Sequence, residues 1–297
     1  VSRDILWEVD GWVGGAVDAD GVDWIVHNPV TGWFDTLEIR SSDSEKPGAD
    51  GSYSDPNLYA SRVISLSGHA RCPDEETADR ARDQFNALLA DRQMHWLKVT
   101  EPVKTLGAMV KLGAGTKLSP WDAVSFDFQL ILVAPDPRKF SDDLQVAISS
   151  LADPAPGGME WGGPAGTTGA TWGGPAGTTG AQWQQGSGST GVMRLTNDGT
   201  AEAPVRFLVD GAVTGASIVD LTYGRVITYG ATIPVGSQLT IDTGSRSALL
   251  DGVNRGPLLT RVDWITIPPR SSIEVTFQAS SNSPNANLAA QWRHAYL

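Results

Sequence analysis

Val205-Arg206-Phe207-Leu208-Val209-Asp210-Gly211 is the stretch on which the reading of this chain turns. Val205, Phe207 and Val209 alternate with Arg206, Leu208 and Asp210, and the run stops at a glycine. Side chains of a strand point to opposite faces in turn, so this pattern predicts a half-buried β-strand. Ile273, Val275 and Phe277 alternate in the same way with Glu274, Thr276 and Gln278. Short runs separated by Gly, Asn, Asp or Pro turns continue from Met193 to the end, and nothing after Phe140 carries a helical period. Residues 193–297 are therefore expected to form a β-sandwich or barrel.

Upstream, residues 1–140 read as strands with a single helix. Asp35–Arg40 alternates polar and apolar residues, and Arg62–Gly68 is a second strand candidate. Pro73-Asp74-Glu75-Glu76 opens a helix expected over about 74–91, since proline and acids suit a helix N-terminus. Ala78, Ala81, Phe85, Leu88 and Leu89 give it one apolar face. Trp96–Val99, Ala108–Leu112 and Ser125–Leu132 follow as strands, and Pro135-Asp136-Pro137 closes the module.

Residues 141–192 form a connecting strand and an arm of different composition. Trp161-Gly162-Gly163-Pro164-Ala165-Gly166-Thr167-Thr168-Gly169-Ala170 returns at Trp172–Ala181, and Trp183 begins a third copy that decays at once. Glycine and proline this dense exclude a regular helix, and glycine does not fall on every third position as collagen requires. Trp161, Trp172 and Trp183 are candidate anchors that dock on a neighbouring surface; a flexible linker accounts for the glycines but not for the tryptophans.

The 297 residues carry 22 basic and 34 acidic side chains, a net charge of −12. The acid is concentrated in residues 1–150, which hold 14 basic and 24 acidic residues. Such a balance opposes binding of nucleic acid or anionic lipid, because phosphate contacts need clustered cations. A lone cysteine, Cys72, allows no intrachain disulfide, and four scattered histidines give no zinc spacing. No metal or cofactor is expected. No apolar run approaches the length of a membrane span, and the first residues show no signal peptide. The expectation is a soluble chain made in a reducing compartment.

Catalytic signatures are sparse. Asp242-Thr243-Gly244 matches the aspartic-protease triplet, but such an enzyme needs two carboxylates sharing a proton and no second triplet exists. Gly113-Ala114-Gly115-Thr116-Lys117 lacks the spacing of a phosphate loop and reads as a hairpin turn. There is no G-x-S-x-G and no H-E-x-x-H. Among 34 acids no pair is singled out for glycoside hydrolysis. No catalytic residue is nominated. Exposed aromatics stack on sugars, so Tyr223, Tyr229 and Trp264 are candidate glycan contacts; core positions are the competing reading for Trp264 and Trp292.

The order of motifs carries a resemblance. Thr196-Asn197-Asp198-Gly199-Thr200-Ala201-Glu202-Ala203-Pro204 runs into Phe207–Gly211. Leu239–Thr243, Asn254-Arg255, Trp264, Ile267-Pro268-Pro269 and Gln291–Tyr296 follow. The Arg62–Gly68 strand, one helix and the Phe128–Phe140 exit agree upstream. Together they resemble the distal tail proteins, or minor tail proteins, of long-tailed siphophages. The resemblance implies a tail-tube-like β-domain followed by a galectin-like or jelly-roll β-sandwich, and a structural rather than enzymatic role. It further implies a hexameric ring at the distal tail tip of the virion, made in the host cytoplasm. The implied partners are further copies of the chain, the tail tube protein, the tape-measure protein and tail-tip or baseplate proteins, with DNA passing through the lumen without specific binding. A host cell-wall carbohydrate-binding tail protein is the alternative. The Trp161–Trp183 repeat departs from the family pattern.

Overall fold

The computed structural model describes residues 5–41, 43–54, 56–151, 191–280 and 286–297. The chain is mainly β and divides into two units. The first comprises Val1–Asp143 with Gly199–Ala201 and His294–Leu297; the second comprises Leu144–Asp198 and Glu202–Arg293.

In the first unit an antiparallel sheet runs Trp12–Gly14, Leu6–Val9, His95–Thr100, Thr105–Leu112, Ser125–Ala134, Arg62–Arg71, Asp23–Val26. Its longest pairing holds Arg62–Arg71 against Ser125–Ala134, from Ser125 opposite Arg71 to Ala134 opposite Arg62. Both strands bury alternate residues, and Ile64, Leu66, Leu130 and Leu132 are fully inside. Gly68 has no alternative here, because a Cβ would overlap the Phe128 ring and the Ile25 carbonyl. The chain returns at its end, where Ala295–Tyr296 pairs with Lys139–Ser141.

The helix is shorter than its apolar periodicity suggests, spanning Glu75–Asn86. Asp74 caps it, its carboxylate accepting the Thr77 N–H at 2.8 Å. Leu88 and Leu89 are buried as expected, but from a turn in which Leu89 adopts φ 57°. The Leu89 N–H donates to Asp10 Oδ2 at 2.8 Å, so a tertiary bond outside the helix takes over. Thr77, Ala78, Ala81 and Phe85 form its buried face. Phe85 stacks on Trp24 at 5.5 Å and meets Trp12 and Phe128 edge-on or tilted at 5.7 and 5.1 Å. Aromatic pairs in these geometries gain beyond the area they bury.

The expected half-buried strand Asp35–Arg40 is not formed as such. Only Ile39–Arg40 is strand, paired with Leu58–Tyr59, and all four residues are exposed. Ser44–Glu45 pairs with Ser52–Tyr53 beyond it. The alternation of residues 35–40 thus belongs to a projecting hairpin, where there is no sheet face to bury its apolar half.

The second unit is a sandwich of two antiparallel sheets. One runs Gln145–Ser150, Asn287–Trp292, Ala203–Asp210, Gln238–Asp242, Ser247–Leu250, Val253–Asn254; the other runs Val192–Asn197, Ser271–Gln278, Ser217–Asp220, Val226–Tyr229, Leu259–Val262. Val205, Phe207 and Val209 are buried from the first sheet, and Ile273, Val275 and Phe277 from the second. Asp220 is fully buried as well, with Arg225 paired to it at 2.7 Å.

Candidate assembly surfaces

Four places in the described residues gather unusual side chains, and each is traceable to local sequence. The first is the base of the projecting hairpin. Arg62, 3% exposed, opens its strand and sends Nε to the Pro137 carbonyl at 2.9 Å and Nη1 to those of Gly32 and Trp33 at 2.6 and 3.3 Å. Lys139, 9% exposed, donates Nζ to the Trp33 carbonyl at 3.2 Å and lies over the Trp33 ring. Burial, with Arg62 close by, pulls the Lys139 ammonium down to about 8. Gly32, at φ 84°, permits this clasp, since a Cβ would overlap the Val63 carbonyl oxygen. Above the base, Phe34, Ile39, Tyr53, Leu58 and Tyr59 are all about half exposed or more.

The second is the outer face of the sheet that begins at Gln145–Ser150. Registers place Ile148, Ala289, Leu208, Thr240 and Leu249 in one row across five strands. Polar partners flank it: Arg206 pairs with Asp242 at 3.1 Å, and Gln238 donates to Asp210 at 2.8 Å. Gln145–Ser150 ends that sheet with one hydrogen-bonded neighbour, and its Val146 and Ile148 are 52% and 70% exposed. An edge strand carrying exposed apolar residues is a template for association.

The third is an aromatic cleft of about 450 Å³ against the helix, lined by Asp10, Trp12, Asp18, Trp24, Gln84 and Phe85 among others. The fourth is a shallow polar depression of about 340 Å³ between Arg194, Asp198 and Arg270.

The residues nominated from sequence scatter. Trp161, Trp172 and Trp183 lie outside the described residues. Tyr223 is 56% exposed, with the Arg225 guanidinium 5.1 Å from its ring centroid. Tyr229 is 1% exposed, a correction to its nomination as a sugar contact: its strand alternates and places the ring on the inner face. Trp264 is half-buried, and Trp292 is buried with Nε1 donating to the Thr196 carbonyl at 2.7 Å. The structure brings no two of these three glycan candidates together in a described cleft.

Asp242-Thr243-Gly244 is a turn. Asp242 Oδ1 accepts the Gly244 and Ser245 N–H groups, and buried Thr243 accepts the Val205 N–H. Cys72 is buried, and desolvation followed by Asp18 pushes its thiol up, away from nucleophilic use. Among the described residues no three His, Cys, Asp or Glu side chains converge as metal ligands, and no helix is long and apolar enough to cross a membrane. The clasp at Arg62 and the aromatic cleft went unnoticed in the sequence, because both unite residues from distant segments.

These features define a class: a two-unit, mainly β chain in which a helix-braced sheet precedes a sandwich and a hairpin projects from the first unit. No protein-family model matches the sequence, and no curated protein is significantly similar to it. Among solved structures the fold is that of the SPP1 Dit protein, described as a paradigm of hub adsorption apparatus in phages infecting Gram-positive bacteria; identity is 12%, 99% of each chain is covered and the TM-score is 0.61. Two structures of the phage P2 baseplate in its activated conformation, with calcium and with strontium, are also similar. They cover 98% and 97% of each chain at 11% and 12% identity, with TM-scores of 0.48 and 0.49. The likeness to SPP1 Dit meets the resemblance to distal tail proteins carried by the sequence motifs.

Proposed function

We propose that this chain is a structural subunit of a phage tail tip, a ring-forming hub that joins the tail tube to the adsorption apparatus. The carrying observation is the likeness to SPP1 Dit over 99% of both chains, which covers both units in the same order. The surfaces support it. A ring built by head-to-tail contacts needs a projecting element and a receiving face on each subunit. The hairpin with Phe34, Ile39, Tyr53, Leu58 and Tyr59 is the projecting element, and the clasp at Arg62 and Lys139 fixes its base. Exposed aromatics of this kind dominate interface energetics. The acidic excess of residues 1–150 suits a lumen that DNA traverses without sticking. In this reading the ring is a hexamer around the tape-measure protein, and Trp161, Trp172 and Trp183 anchor subunits to one another or to baseplate partners. No catalytic step belongs to the role.

The test is the mass of the purified chain over a range of concentration, with negative-stain images. A closed ring with a central hole is expected, alone or with a tail partner. A monomer at every concentration that also ignores tube and baseplate partners overturns the proposal. A second reading, host-wall glycan binding, draws on Tyr223, whose exposed ring is held by Arg225. It requires binding to purified wall polysaccharide that Tyr223→Ala abolishes.

A further inference from the structure

The turn that follows the helix is held in a conformation its own residues disfavour. Leu89 and Arg92 both occupy the left-handed region, at φ 57° and 60°. Neither is glycine or asparagine, so each stays there at a cost that contacts beyond its own backbone must offset. Burial of Leu88 and Leu89 supplies part of that. The rest runs through one imidazole.

His95 opens the strand His95–Thr100 and stands between two carboxylates from different elements. Its Nε2 lies 3.0 and 2.9 Å from the two oxygens of Asp91, which belongs to the turn. Its Nδ1 lies 3.4 Å from Oδ1 of Asp10, at the bend between Leu6–Val9 and Trp12–Gly14. Asp91 Oδ1 also accepts the Gln93 N–H, and Asp10 Oδ2 accepts the Leu89 N–H. The contacts thus run from the turn through the ring to the hairpin and back to the turn. The neighbouring strand Thr105–Leu112 sets uncharged Val110 opposite His95, so among the described residues Asp91 and Asp10 are the charged groups that act on the ring.

An ionised carboxylate only accepts hydrogen bonds. A neutral imidazole has a single N–H and turns a lone pair toward whatever faces its other nitrogen, so only the imidazolium offers a donor to both Asp91 and Asp10. We propose that His95 is a pH-sensitive latch: protonated, it ties the turn after the helix to the hairpin at Asp10, and on losing its proton it lets that turn open. The hydrogen bond to Asp91 raises the ring above its usual 6.5 against the opposing effect of desolvation, and the charges of Asp10 and Asp91 add to the rise. The latch is therefore fully set below 6.5 and is lost as pH climbs through the raised value. Leu88 also lines the aromatic cleft, so the opening reaches that cleft. The assignment concerns the first unit alone and does not depend on ring formation.

Amide exchange of the ¹⁵N-labelled full chain, corrected for intrinsic rates, tests it beside a titration of the His95 ring resonances. The ring midpoint should lie above 6.5. Protection of the Leu89 amide should fall about two- to fivefold across that midpoint, the worth of a partly exposed ion pair, while the Leu130 amide in the sheet shows no such fall. His95→Gln keeps a donor but carries no charge, and should hold the Leu89 amide at the lower protection at every pH. Asp91→Asn should lower the ring midpoint and move the fall in protection with it. A ring midpoint at or below 6.5, a Leu89 amide that ignores the midpoint, or the same fall in His95→Gln as in the parent would overturn the assignment. A chain that forms rings while its Leu89 amide ignores pH fails here and leaves the tail-tip reading intact.

Discussion

Arg62 and Lys139 show how much one pair of side chains can decide. Both are cations taken out of water, and among the described residues neither has a carboxylate within ion-pair distance. Arg62 joins two distant segments through Nε and Nη1, while its Nη2 has no partner, so Arg62→Met should leave the Pro137 and Gly32 oxygens without this donor and cost about 2–4 kcal/mol. Urea unfolding at pH 7 measures it, and Arg62→Lys should restore little, because an ammonium cannot span the carbonyls in the same fork. Lys139 behaves oppositely. The Trp33 carbonyl it serves also receives Arg62 Nη1, so Lys139→Met removes a buried charge without orphaning the acceptor. Stability at pH 7 should rise by about 1–3 kcal/mol. With the Lys139 pKa lowered from 10.5 to about 8 on folding, the unfolded chain holds more protons between those values. Native stability should therefore climb over that window as pH rises, and the climb should vanish in Lys139→Met. An unfolding midpoint that changes equally in both proteins from pH 8 to 10.5 would contradict the account.

At the scale of elements, the strands with one dry face were the legible part. Val205–Val209 and Ile273–Phe277 alternate because a sandwich face enforces it, and both are buried as the pattern demands. The alternation of residues 35–40 misled for the same reason in reverse, since a projecting hairpin shows period two without a core. The helix start was legible from Asp74, while its end was not, because Asp10, far away in sequence, captures the Leu89 N–H. The clasp and the cleft were invisible in principle: Arg62 with Pro137, and Asp18 with Gln84, meet only after the sheet has formed. The helix cap yields an acid-limb prediction. Accepting the Thr77 N–H and hydroxyl holds the Asp74 carboxyl below its usual 3.8, so its contribution is present above that value and fades as pH falls further. Asp74→Asn keeps the cap oxygen but cannot titrate. Its melting temperature should fall less steeply than the parent's between pH 4.5 and 2.5, and parallel curves would show that the cap is not charge-assisted.

For the whole molecule, the question is what a chain gains by leaving five large apolar side chains on a hairpin in water. Surface apolar residues scattered singly need no explanation, but Ile39, Tyr53, Leu58 and Tyr59 lie on paired strands with Phe34 shortly before them, all within 26 residues of sequence. On the tail-tip reading proposed above, keeping them there serves an assembly rather than a monomer, because all five stay about half exposed or more on the single chain. Leu58→Asp and Tyr53→Asp should accordingly leave monomer unfolding within about 0.5 kcal/mol of the parent, as surface changes do. The same substitutions should abolish closed assemblies, since a buried unpaired carboxylate in an apolar contact is strongly unfavourable. Light scattering and negative-stain images of the two variants, read beside their urea curves, separate the cases. Loss of rings with unchanged unfolding assigns the hairpin to the subunit interface. Intact rings would move the contact to another surface, and the row from Ile148 to Leu249, with the exposed edge strand Gln145–Ser150 beside it, would be the next to carry a charge.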